Sequence, residues 1–90
     1  VKEQVMAEVE IYSTTVCPFC VRAKMLLDKK GTAYKEINLN KQPQLRDDMV
    51  QRAGGKRTVP QIFIDGRHVG GCDDLYELEM DGELDGLLGI

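Results

Sequence analysis

Gln61-Ile62-Phe63-Ile64 reads as one apolar run, followed at once by Asp65-Gly66 and then by Arg67-His68-Val69. A run without polar alternation belongs to a strand covered on both faces. Asp-Gly is a strong two-residue hairpin turn, because both positions accept a positive φ. In a chain of 90 residues, the segments around this hairpin must supply the cover for two sheet faces.

They have the pattern to do so. Val9-Glu10-Ile11-Tyr12 alternates as a short strand, and Ser13-Thr14-Thr15-Val16 connects onward. Pro18–Lys30 predicts a helix: Pro18 suits the first helical position, and Phe19, Ala23, Leu26 and Leu27 recur at helical spacing. Gly31 is placed to end it. Ala33–Leu39 predicts a second strand with Ile37 and Leu39 facing one way. Pro43–Ala53 predicts a second helix with Leu45, Met49, Val50 and Ala53 inside, closed by Gly54-Gly55. Gly70-Gly71 precedes a last helix that carries Asp73 and Asp74 in its first turn and Leu75 and Leu78 on its inner face. Gly82–Ile90 predicts a further helical turn packing Leu84, Leu87 and Leu88. The order strand–helix–strand–helix–hairpin–helix gives an α/β domain with helices on both faces of a small mixed sheet. Residues 1–7 read as an N-terminal extension, disordered or left over from expression, and residues 8–90 as the domain.

Composition narrows the function. With 42% hydrophobic and 30% charged residues the chain is globular rather than disordered. A net charge of −3 and a pI near 5.1 argue against nucleic-acid binding, which needs a basic face to replace counterions. No apolar run approaches the roughly 18–20 residues of a membrane span, and the first residues lack a signal-peptide pattern. A cytoplasmic protein without a membrane partner is the expectation. Three cysteines are too few, and odd in number, for a disulfide framework.

Two of them stand as Cys17-Pro18-Phe19-Cys20. Disulfide exchange needs a thiolate, and a helix N-terminus with its unpaired N–H groups lowers a thiol pKa to roughly 3.5–7.5. Cys17 is expected at such an N-cap, exposed and attacking. Cys20 lies three residues on, on the same face, and is expected to be the more buried resolving thiol. The rival reading is zinc, with Cys72 and His68 completing a set of four. Pro18 starts a helix between the first two cysteines and His68 lies mid-strand, so redox chemistry without a metal is the stronger reading.

Cys17-Pro18-Phe19-Cys20, Thr58-Val59-Pro60 and Gly70-Gly71-Cys72-Asp73-Asp74 together resemble a bacterial dithiol glutaredoxin over about residues 8–88. The tryptophan that precedes the thioredoxin motif is missing, and Phe19 replaces the tyrosine commonest between glutaredoxin cysteines. The resemblance implies a thioredoxin-like fold with a four-stranded mixed sheet and a cis Val59–Pro60 bond facing the cysteines. It implies a monomeric, glutathione-dependent thiol–disulfide oxidoreductase acting on glutathionylated or disulfide-containing proteins, with glutathione as co-substrate. It also implies where glutathione binds. Val59 would pair with the cysteinyl backbone as an added strand, with Thr58 and Pro60 beside it. The Cys72 N–H and the Asp73 carboxylate would hold the γ-glutamyl carboxylate and ammonium. The lysine usual for the glycyl carboxylate is Thr14 in this chain. By the resemblance, Arg46 on the second helix matches a basic or amide position that can serve the same carboxylate, and its plainer reading is a solvated helix residue. The alternative from the same resemblance is a glutathione-ligated iron–sulfur cluster carrier, against which Pro18 argues because such relatives carry a smaller residue there.

Plainer readings stand beside these. The Cys72 thiol reads as a small buried hydrophobe, Asp74 as a helix-start charge, and Phe19 as an exposed ring shielding the site. His68 reads as a solvated strand residue, and Lys56 and Arg57 as a solvated loop. Gly70-Gly71 reads as permissive backbone close to a ligand.

Overall fold

In the computed structural model, which describes residues 7–90, the sheet has four strands in the order β2-β1-β3-β4. The elements are β1 (Val9–Ser13), α1 (Pro18–Lys29), β2 (Lys35–Asn38), a 3₁₀ turn (Pro43–Leu45), α2 (Arg46–Arg52), β3 (Gln61–Ile64), β4 (Arg67–Gly70), α3 (Cys72–Met80) and α4 (Leu84–Leu88). β1 runs parallel to β2 and antiparallel to β3, and β3 runs antiparallel to β4. The mixed α/β architecture is the expected one. The reading of residues 1–6 as an extension lies outside the described residues. Ala7 donates its N–H to the Leu88 carbonyl at 3.3 Å.

Alternation along β1 divides the core. Val9 and Ile11 face the layer of α1, α3 and α4, where Leu27, Ile62, Leu75, Leu84 and Leu88 are fully buried. Tyr12 faces the other layer, with Ile37, Leu39, Met49, Ala53 and Phe63 beneath α2. All four residues of β3 are buried, because it is a central strand with a layer on each side. Each fully buried Leu or Ile contributes about 1.5–3 kcal/mol relative to exposure.

The stops follow local chemistry. Gly31 has φ +69, its N–H donates to the Asp28 carbonyl, and the Thr32 N–H donates to the Leu27 carbonyl. This is a Schellman ending for α1. Asp65 (φ 51) and Gly66 (φ 80) form the hairpin turn, and Asp65 Oδ1 accepts the Glu8 N–H at 2.9 Å, tying the turn to the start of β1.

Two elements are shorter than expected. The second strand begins at Lys35 rather than Ala33, because the ladder with β1 opens at Glu10↔Lys35. The second helix begins as a 3₁₀ turn at Pro43, because Gln42 offers no side-chain cap and the first turn closes through i→i+3 bonds.

Glu36, on the edge strand, accepts from Lys24 Nζ at 2.8 Å and from Ser13 Oγ at 2.6 Å. The Lys24 bond first, and the Ser13 bond second, hold its carboxyl below the ordinary carboxylate range. A lowered folded pKa means stability that is complete above the unfolded value of about 4.3 and is lost as pH falls through the folded value. Glu36→Gln is expected to cost about 1 kcal/mol at pH 7 and almost nothing at pH 2, measured by urea unfolding. An equal cost at both pH values would exclude the charged pair as its source.

Candidate active site

Cys17 is the N-cap of α1, with extended backbone (φ −153, ψ 96) and Pro18 in the first turn. Its Sγ accepts the Cys20 N–H at 3.1 Å. Pro18 loses nothing there, since a first-turn N–H has no intrahelical acceptor. Cys17 and Cys20 are joined as a disulfide with their Cα atoms 5.2 Å apart. Cys17 is half-buried at the surface, whereas Cys20 is 1% exposed on the inner face of α1.

Across from Cys17 the chain makes the cis Val59–Pro60 bond that the resemblance implied. The Val59 carbonyl oxygen lies 4.0 Å from Cys17 Sγ. An open cleft of about 220 Å³ runs from here to the start of α3, lined by Phe19, Lys56, Thr58–Gln61 and Gly71–Asp74. Thr58, Val59, Pro60, Cys72 and Asp73 are therefore brought together. Phe19 is half exposed at the rim.

Gly70 has φ +121, and a Cβ on it would overlap the Asp74 carboxyl group. Asp74 Oδ2 accepts the Gly71 N–H at 2.9 Å. Asp74 is thus spent on capping α3, while Asp73 is exposed at the cleft. The first N–H groups of α3 point out of the helix without intrahelical partners. Cys72 is buried in the α1/α3 layer, and burial pushes its thiol pKa up, only partly offset by Arg22.

Arg46 is absent from the cleft wall, and its Nη1 donates to the Arg57 carbonyl at 2.8 Å. Thr14 also lies off the wall, whereas Lys56, an exposed loop residue as read from the sequence, lines it. His68 is a correction. It is not a solvated strand residue but is partly buried, with Nε2 2.7 Å from Gln61 Oε1 and its ring against Phe63 at 5.0 Å. It lies on the α2 side of the sheet while Cys72 lies in the opposite layer, so the four-ligand zinc set is not assembled. Gln61, passed over as part of an apolar run, is a 2% exposed amide on the cleft wall. Its signal was present: an amide cannot enter a two-faced strand without hydrogen-bond partners.

A disulfide at a helix start, opposite a cis-proline loop on a four-stranded mixed sheet, defines a thiol–disulfide oxidoreductase of thioredoxin-like fold. The sequence profile described as Glutaredoxin matches residues 9–69. Over 83 residues the chain is 52% identical to Glutaredoxin 3 of Escherichia coli strain K12, covering 92% of this chain and 99% of that one. The solution structure of glutaredoxin from Brucella melitensis superposes with a TM-score of 0.80 at 52% identity, over 93% of this chain and 90% of that one. The crystal structure of the buckwheat glutaredoxin–glutathione complex superposes with a TM-score of 0.83 at 36% identity, over 91% and 76%. The chain belongs to the glutaredoxin family and is a glutathione-dependent thiol–disulfide oxidoreductase.

Proposed function

We propose that Cys17 is the attacking thiolate and Cys20 the resolving thiol. The reading is carried by the half-buried Cys17 at the start of α1, bonded to a fully buried Cys20, with the Val59 carbonyl of the cleft wall 4.0 Å from the Cys17 sulfur. On a glutathionylated protein, Cys17 attacks the glutathione sulfur and the protein leaves as a thiolate. A second glutathione thiolate then attacks the Cys17 mixed disulfide, releasing oxidised glutathione and regenerating Cys17. On a protein disulfide, Cys17 forms a mixed disulfide with one substrate sulfur. Cys20 attacks Cys17 Sγ, the substrate leaves reduced, and the Cys17–Cys20 disulfide is reset by two glutathiones.

Glutathione lies along the cleft as a short added strand on Val59, flanked by Thr58 and Pro60. The Cys72 N–H meets its γ-glutamyl carboxylate and Asp73 its ammonium. Arg46 keeps N–H groups beyond the one given to Arg57 and remains a cation for the glycyl carboxylate, with Lys56 as a second. The domain of residues 8–90 acts as a monomer in the reducing cytoplasm, where a glutathione pool resets it.

Coupled to glutathione reductase and NADPH, the protein is expected to reduce a glutathionylated peptide well above the glutathione-only rate. A rate equal to that background would overturn the reading. In the same assay, Lys56→Ala and Arg46→Ala are each expected to raise the apparent KM for glutathione about two- to fivefold at low salt, since an exposed ion pair is worth about 0.2–1 kcal/mol. Thr14→Lys should reverse that loss. A KM unmoved by either alanine leaves that residue as plain surface charge.

A further inference from the structure

Behind the cleft loop runs a set of side chains that the disulfide chemistry does not use. Gln61 follows Val59–Pro60 directly and is 2% exposed. Its Nε2 donates to the Thr58 carbonyl at 3.0 Å and lies 3.3 Å from Thr58 Oγ1. A carbonyl can only accept, so the amide must present its NH₂ group to Thr58 and its oxygen to His68. His68 Nε2, 2.7 Å away, therefore carries a proton and donates.

The His68 ring is itself held. It packs on Phe63, and the Arg52 guanidinium lies 4.1 Å from the centre of the Phe63 ring, bonded to Tyr12 and Glu10. Phe63 pairs with His68 across the hairpin, which leaves His68 diagonal to Gln61 on one sheet face. Two successive carbonyls of the exposed loop are thus held by different elements, Arg57 by Arg46 of α2 and Thr58 by Gln61 of β3.

We infer that His68 and Gln61 are positioning residues for the known reaction: through Thr58 they hold the Thr58–Val59 backbone in the geometry that receives the backbone of a glutathionyl substrate. This rests on the glutathione reading given above. Without the His68 donor, Gln61 keeps a buried, unsatisfied oxygen and can turn away from Thr58. The loop must then be ordered at the moment of binding, which weakens substrate capture and leaves the sulfur chemistry alone.

The test uses the intact reduced protein, a glutathionylated peptide as probe, and the glutathione reductase-coupled assay. His68→Phe keeps a ring on Phe63 and loses the donor; His68→Met is a second donorless variant, and Gln61→Met removes the amide at similar volume. Each is expected to raise KM for the peptide about five- to tenfold, with kcat within about twofold and the pH midpoint of Cys17 alkylation unmoved. His68→Gln, which returns an N–H near the Nε2 position, should restore KM. The Gln61→Met/His68→Phe double variant should be no worse than Gln61→Met alone. Folded donorless variants with wild-type KM, even at a lowered Tm, overturn the inference, as does His68→Gln behaving like His68→Phe. A wild-type protein without turnover would instead refute the glutathione reading itself.

Discussion

We expect Cys17→Ser to abolish turnover on both glutathionylated and disulfide substrates, by at least about a thousandfold, with no loss of stability relative to the reduced wild type. Serine is a preferred N-cap residue, so the start of α1 is kept while the nucleophile is lost. That separates chemistry from folding in one variant. Cys20→Ser should behave differently. Deglutathionylation takes its second thiol from solution, so that activity should stay within a few-fold of wild type. Protein disulfides need the neighbouring thiol, whose attack within one molecule has an effective concentration far above that of any free thiol. That activity should fall by at least about tenfold. Alkylation of Cys17 in the reduced protein should show a pH midpoint under about 8.5, the free-thiol value. Substantial turnover by Cys17→Ser would remove Cys17 from the nucleophile's role.

Gly70→Ala should be the most destabilising single methyl addition near the cleft. The φ of +121 at Gly70 is one that L side chains rarely adopt, and the added Cβ would meet the Asp74 carboxyl group. Asp74 cannot move without giving up the Gly71 N–H that it caps. Strain of about 1–3 kcal/mol and a lost cap of about 1 kcal/mol predict a total near 3 kcal/mol. For a domain of this size that is a Tm drop of about 12–24 °C by calorimetry. Asp74→Ala alone should cost only the cap, about 1 kcal/mol. In the double variant the clash is gone, so its loss should be clearly smaller than the sum of the two singles. Strict additivity would show that the Gly70 backbone alone, and not the contact with Asp74, carries the cost.

The helices, the hairpin and the two-faced strand were legible because their signals are local. Phe19 to Leu27 show helical spacing, Asp65-Gly66 accepts two positive φ values, and Gln61–Ile64 lacks the alternation of a half-exposed strand. Cys17 and Cys20 were legible for the same reason: the reaction needs two thiols one helical turn apart, and that spacing is visible in four residues. The rest of the cleft depended on a resemblance, because Thr58–Pro60 and Cys72–Asp73 come to one wall only through strand order and crossover.

His68 was misread for a physical reason of the same kind, whereas Lys56 is the exposed loop residue that was expected. A histidine on an edge strand next to a hairpin has no local feature that distinguishes water from a buried partner. Only the pairing of β4 against β3 places it beside Gln61. Lys56 lies on a loop whose path is decided where Arg46 and Gln61 hold the Arg57 and Thr58 carbonyls. Propensity, capping and turn chemistry act within a few residues, so the chain itself settled its elements and its reactive pair. Contacts such as Cys17 with Val59, 42 residues apart, or Arg52 with Tyr12, 40 apart, depend on how both layers pack on one sheet. Those pairings, and the cleft wall they build, were decided by the tertiary structure.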